Sequence, residues 1–217
     1  LQTKIRQHVN PLSARHQVPI CLPEDWIKDH FQNIDNPFVI DVGCAKGTWA
    51  AQYAQDHPET NVIGIDIREP IIELANARAE RLGITNVHYI YTNANVNISR
   101  IIDDISKHST VQRITINFPD PYFKKRHYKR RLVNNAFVRA LAQGLSQGAE
   151  VCFQSDVLEL CLAAVKSFAS GPWFTPCTYH DVNDLEGNKN PTGVLTEREI
   201  SVIKRKLKVY RISYVRT

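Results

Sequence analysis

From Phe38 onward the chain alternates short apolar runs with longer amphipathic stretches. Phe38-Val39-Ile40-Asp41-Val42 is stopped by Gly43. A short apolar run closed by glycine predicts a strand buried on both faces. Residues 46–56 have helix-forming content and end before Pro58. Asn61-Val62-Ile63-Gly64-Ile65-Asp66 predicts a second buried strand. Over 69–82 a helix is expected. Ile72, Leu74, Ala75, Ala79 and Leu82 lie near helical spacing and Gly83 stops them. The alternation continues with strands over 87–91, 113–118 and 150–154, and helices over 98–106, 133–145 and 157–169.

Strands that alternate with helices imply a parallel sheet with helices on both faces. The flanks differ. Residues 1–37 carry Pro11, Pro19 and Pro23, then an amphipathic piece around Trp26, Ile27 and Phe31, and read as an extended arm with a short helix. Residues 171–217 read as a strand over 173–179, a polar loop over 181–193, a helix over 196–205 and an alternating strand over 209–215. No repeat or low-complexity linker divides the 217 residues. One domain is expected: an arm (1–37), a ligand-binding core (38–170) and a C-terminal segment (171–217).

Open parallel sheets bind ligands at the C-terminal edges of their strands. The first strand-to-helix turn reads Asp41-Val42-Gly43-Cys44-Ala45-Lys46-Gly47. Gly43 and Gly47 permit a tight turn and close approach of a ligand. Their spacing is not the G-x-G-x-x-G that seats a pyrophosphate. Asp41 would repel a pyrophosphate and suits a cationic group. Asp66 ends the second strand, where an acid accepts from ribose hydroxyls. Asn93 follows the third strand, where an amide can read an adenine edge. Ribose, adenine and a cationic tail describe S-adenosyl-L-methionine better than a nicotinamide dinucleotide. The competing reading is a glycine pair that merely packs a helix onto a strand.

Charge then narrows the picture. Lys124 to Arg131 reads K-K-R-H-Y-K-R-R, and without its six cations the net charge of +5 would be −1. Such density is an electrostatic footprint for phosphate. It follows Asn117-Phe118-Pro119-Asp120-Pro121-Tyr122 at the end of the fourth strand, which lies beside the first in a doubly wound sheet. Two prolines stiffen the segment and fix where Asp120 points. A carboxylate there can accept from N1–H and the amino group of a guanine and stabilise the charge its ring gains on N7 methylation. Asp-Pro also opens ordinary turns, which is the competing role for Asp120. Lys204, Arg205, Lys206, Lys208 and Arg211 form a second basic group, read as a solvated face.

The five cysteines are scattered with no C-x-x-C, and the eight histidines show no H-E-x-x-H. Free thiols are expected, with no metal. No apolar run reaches the length of a membrane span, and Leu1 to Arg6 lacks the apolar core of a secretion signal. A cytoplasmic protein without membrane contact is expected, as monomer or homodimer.

Ile116 to Leu132 resembles the signature of bacterial tRNA (guanine-N7)-methyltransferases: D-P-W, then K-K-R-H and K-R-R-L. Arg6-Gln7-His8-Val9-Asn10-Pro11 is similar to that family's N-terminal R-x-H-x-N-P arm. Gln154-Ser155-Asp156 and Thr196-Glu197-Arg198-Glu199 are similar to its later T-D and T-x-[YF]-E blocks. The resemblance covers nearly the whole chain. It implies a Rossmann-like class I S-adenosylmethionine-dependent fold with a mostly parallel seven-stranded sheet. It also implies methyl transfer to N7 of guanine 46 in the tRNA variable loop. By motif, Asp41, Gly43, Gly47, Asp66 and Asn93 hold the cofactor. Asp120 is catalytic and lies against the cofactor. Lys124, Asp156, Thr196, Glu197, Arg198 and Glu199 bind substrate, and Arg126, His127, Lys129, Arg130 and Arg131 contact RNA. The chain departs from the pattern where Asp41 stands for Glu, Asn93 for Asp, Tyr122 for Trp and Arg198 for an aromatic. The alternatives are an amino-group methyltransferase of adenine or cytosine, a non-catalytic RNA-binding protein and, weakest, a dehydrogenase.

Overall fold

The structure, a computed structural model, describes residues 9–177 and 190–217. Arg6 to His8 of the arm motif and most of the expected polar loop lie outside them. A short helix α1 (Trp26–His30) precedes the alternating core. That core comprises β1 (Phe38–Val42), α2 (Thr48–Asp56), β2 (Asn61–Asp66), α3 (Glu69–Arg81) and β3 (Val87–Tyr91). It continues with α4 (Ala94–Ser106), β4 (Val111–Asn117), α5 (Asn135–Gly144), β5 (Glu150–Ser155) and α6 (Leu158–Phe168). The described tail holds β6 (Phe174–Pro176), α7 (Glu197–Lys204) and β7 (Tyr210–Arg216).

The seven strands form one sheet in the order β3-β2-β1-β4-β5-β7-β6. The first five run parallel, and β7 is antiparallel to both neighbours. Every residue of β1 and β2 is buried, because helices cover both faces. On one face Phe38, Ile40 and Ile114 pack with Ile98 and Ile102 of α4, Phe137 of α5 and Phe168 of α6. On the other, Val39 and Val62 pack with Trp49 and Ala50 of α2 and Ile72 and Ala75 of α3. The chain reverses direction across the sheet between β1 and β4, which opens a crevice at their C-terminal ends.

The deviations from the expected elements have local causes. Helix α4 starts at Ala94 rather than 98, because the Asn93 side chain caps it by accepting from Asn95 N at 3.1 Å. Its polar first turn carries no hydrophobic period to reveal it. The basic run folds as a 3-10 helix (Lys125–Arg130), which no apolar spacing announces. Gly47 is required twice over: its φ is +69°, and a Cβ there would meet the Tyr89 ring at 2.4 Å.

The arm is tied to the core by side-chain amides. Asn93 Nδ2 donates to the carbonyls of Pro11 and His16, each at 3.0 Å. Asn97 accepts from Ile20 N at 2.9 Å and donates to Val18 O at 3.0 Å. Further on, α1 lays Trp26 and His30 beside His88 of β3, with the two imidazole centroids 4.0 Å apart. Burial first, and then the neighbouring His30, push the His88 pKa down to about 4 from 6.5. Between those values the unfolded chain binds a proton that the folded chain refuses. Stability should therefore fall as pH is lowered from about 6.5 to about 4. Thermal unfolding between pH 7 and pH 5 checks this, and His88→Phe should flatten the acid limb. Among the described residues no helix is long and apolar enough to cross a membrane.

Candidate active site

One cavity of about 650 Å³ fills the crevice at the switch point. That volume suits a nucleoside-sized ligand. Its wall includes Asp41, Gly43, Asp66, Asn93, Asp120, Arg130, Asp156, Thr196, Glu197 and Arg198. These come from the ends of β1, β2, β3, β4 and β5, the 3-10 helix and the start of α7. Residues far apart in the chain thus meet because parallel strands end together at one edge of the sheet.

Asp41 is buried at the end of β1. One of its oxygens, Oδ1, accepts from Thr115 Oγ1 at 2.9 Å and from Asn117 Nδ2 at 3.0 Å. Burial pushes its pKa up to about 7 despite those two hydrogen bonds, and the nearby Asp66 adds to the rise. Gly43 follows with φ +82° and no atom within 4 Å of where a Cβ would stand. Its backbone is open to a ligand.

Asp66 is also buried, and its carboxylate is held on both sides. Ala45 N donates to Oδ2 at 3.0 Å, and Arg68 N to Oδ1 at 2.9 Å. The Arg68 guanidinium adds a fork, Nε to Oδ1 and Nη2 to Oδ2, both at 2.8 Å. A ribose taking this carboxylate must therefore displace Arg68. That residue has no motif to mark it, and the charge of Asp120 also reaches it.

Asp120 is half-buried in a tightly specified loop. Phe118 and Tyr122, which bracket Pro119-Asp120-Pro121, have φ of +49° and +45°. Left-handed backbone at a bulky aromatic residue is uncommon and costs about 1–3 kcal/mol. Three contacts hold it, and an ion pair fixes the side chain that makes one of them. Phe118 N donates to Gln154 O at 2.8 Å and Tyr122 OH to Val9 O at 2.9 Å. Arg131 Nε donates to Pro121 O at 2.9 Å while its Nη2 pairs with Glu159 at 2.8 Å.

Three expected roles change in consequence. Arg131 is 6% exposed and covers the Tyr128 ring at 3.7 Å, so it braces the Asp120 loop instead of facing an RNA. The exposed cations of the run are Lys124, Lys125, Arg126 and Lys129, with His127 half-buried beside them and Arg130 turned to the cavity. Lys124 itself lies outside the cavity wall. Asn93 lines the cavity, but both amide hydrogens are committed to the arm, so it has no donor left for an adenine edge. An Asp could not donate these two bonds.

Glu199 is fully buried and does not itself line the cavity. Its carboxylate pairs with Arg211 and accepts from Gln154 Nε2 at 3.2 Å and Asn190 Nδ2 at 3.1 Å. It also completes a capping box with Thr196 at the start of α7. Gln154 Nε2 reaches Asn117 Oδ1 at 2.8 Å, and Asn117 holds Asp41. A hydrogen-bonded chain thus runs from Asp41 to the cap of α7, which presents Glu197 and Arg198 to the cavity. Arg198 pairs there with Asp156. Arg211 faces inward, unlike exposed Lys204, Arg205 and Lys206.

A family described as putative methyltransferases matches residues 35–212. A tRNA (guanine-N(7)-)-methyltransferase of Synechococcus elongatus is 41% identical over 99% of this chain and 97% of its own length. The chain belongs to the tRNA (guanine-N7)-methyltransferase family. The enzyme so named in Synechocystis sp. is 39% identical over 100% of this chain and 99% of its own length. Among solved structures, the aminoglycoside resistance methyltransferase NpmB1 superposes with a TM-score of 0.58 at 14% identity, covering 91% of this chain and 95% of its own. TrmN from Thermus thermophilus gives 0.56 at 17% identity, covering 89% of this chain and 49% of its own. These two show the fold: a seven-stranded, mostly parallel methyltransferase sheet. Membership makes the chain a methyltransferase, and the buried acids and open Gly43 turn are compatible with a methyl-donor pocket.

Proposed function

We propose that this chain is a single methyltransferase domain that transfers a methyl group from S-adenosyl-L-methionine to N7 of guanine 46 in the tRNA variable loop. One observation carries the reading. Asp120, fixed by two prolines and two strained aromatic residues, shares a cavity with Asp41 and Asp66 and is followed by exposed cations. The donor supplies an electrophilic methyl on a sulfonium. Asp41 would hold its cationic amino-acid end, the Gly43 turn would accommodate close approach, and Asp66 would take the ribose once Arg68 moves. Asp120 would accept from N1–H and the amino group of the guanine. N7 already carries a lone pair, so no base is needed before attack, and positioning supplies much of the rate. A tRNA substrate supports a cytoplasmic location.

The experiment is methyl transfer to bulk tRNA by the purified chain, followed by mass spectrometry of the nucleosides and mapping of the modified position. 7-Methylguanosine at position 46 is expected. N6-methyladenosine would instead identify an amino-group enzyme.

The split of the basic run gives a second expectation. Replacing Lys124, Lys125 and Arg126 by Ala should weaken tRNA binding and flatten its salt dependence, by roughly one unit of logarithmic slope per lost phosphate contact. Arg131→Ala should lower the unfolding midpoint and turnover with the salt slope near wild type. Filter binding at several salt concentrations, beside thermal unfolding, separates the two.

A further inference from the structure

We propose that Phe123 and Arg130 clamp the nucleotide to be methylated, the Phe123 ring stacking on its base and the Arg130 guanidinium donating to its phosphate. The inference rests on the proposed reaction and adds the residues that seat the substrate. The signature resemblance assigns Phe123 no role and Arg130 only general RNA contact.

Phe123 is 67% exposed, the most exposed large apolar side chain among the described residues. A single exposed apolar residue is ordinary. This one is held out by strain. Tyr122, immediately before it, has φ +45°, and the hydroxyl of Tyr122 is tied to the Val9 carbonyl. Strain persists where surrounding structure enforces it, and it clusters at ligand sites. Phe123 also lines the cavity beside Asp120. The other aromatic rings of this region are less exposed, and Phe118 is half-buried. Tyr122 is half-buried with its hydroxyl bonded, and Tyr128 carries the Arg131 guanidinium on one face. Phe123 therefore has the open face.

Arg130 supplies the second observation. Its Nε is the one buried side-chain nitrogen or oxygen among the described residues that has no hydrogen-bond partner. An orphaned buried donor calls for an explanation, and an absent ligand is one. The side chain lines the same cavity as Phe123 and Asp120. A guanidinium matches phosphate oxygens by a fork of donors. A base must leave its stack to reach such a cavity, and an aromatic face with a phosphate anchor is what holds it there.

The test uses the full chain with unmodified tRNA. Phe123→Ala should raise KM for tRNA by roughly 5- to 150-fold, the range that one base stack is worth. Affinity for S-adenosylhomocysteine, measured by calorimetry, should stay at wild type and report an intact fold. Phe123→Tyr should restore KM. Phe123→Trp should lose emission when tRNA is added, against a wild-type control for the native tryptophans. Arg130→Lys keeps the charge but not the Nε donor, and it too should raise KM. If the wild type makes 7-methylguanosine while Phe123→Ala keeps its KM, or Trp at 123 does not respond to tRNA, the clamp is wrong and the reaction stands. If the wild type makes no 7-methylguanosine, the reaction itself is wrong.

Discussion

Asp120→Asn is expected to lower kcat by roughly 10²- to 10³-fold, the loss seen when one preorganised electrostatic contact to a transition state is removed. Affinity for tRNA should stay near wild type. A guanine presents two neighbouring donors, N1–H and the amino group. A carboxylate accepts both through its two oxygens. An amide has one acceptor and sets its own donor against the second. As the methyl joins N7, the ring becomes cationic and these donors become more acidic. The contact to Asp120 therefore strengthens in the transition state more than in the bound substrate, so the loss falls on kcat rather than KM. The exposed cations would still grip the tRNA. Single-turnover rates with enzyme in excess over tRNA, beside tRNA binding curves, check both halves. Full turnover by Asp120→Asn would end its assigned role.

The second large effect concerns Asp41. Affinity for S-adenosyl-L-methionine is expected to fall about tenfold for each pH unit below about 7. Burial holds this carboxyl protonated well above its ordinary 3.8. A cationic ligand needs it ionised, so binding at pH 6 must expel a proton, whereas binding at pH 8 need not. The sign for folding is the reverse of the usual aspartate. Between 3.8 and about 7 the folded chain binds the proton and the unfolded chain does not. The ligand-free chain therefore loses stability from this group as pH rises through that window. Stabilisation by the ligand should grow over the same interval. Calorimetry from pH 5.5 to pH 8 in buffers of different ionisation enthalpy measures both the affinity and the proton released. Asp41→Asn should bind weakly at every pH with a flat profile.

Two hydrogen bonds to Asp41 come from Thr115 and Asn117 on β4, the neighbouring strand. Neither carries a recognisable motif. Asn117 points at Asp41 because β4 lies beside β1 in parallel register, Val42 opposite Ile116. That register is a property of the sheet, not of either segment. The same holds for Gln154, which reaches both Asn117 and Glu199. Glu199 shows the limit from the other side. Its four-residue block is legible as a substrate motif, yet burial makes it the anchor of a helix cap. Arg131 is legible as one more cation, yet it braces the Asp120 loop.

Short, mostly apolar runs placed β1, β2 and β3 at their observed bounds, because strands of a parallel sheet are covered by helices along most of their length. The order of strands and helices was enough for a parallel sheet, since parallel strands need crossovers that helices supply. The density of cations and the Asp120 segment identified the family. Those are local properties, written in consecutive residues. Tertiary structure alone decided which cations face solvent, which amides tie down the arm, that Arg68 covers Asp66, and that Phe123 rather than Tyr122 stands open at the cavity. Each depends on the burial and hydrogen bonding of a side chain by residues up to 113 positions away, as Val9 does for Tyr122. Hydropathy and spacing carry no record of such contacts, because they arise only when the sheet brings its edges together.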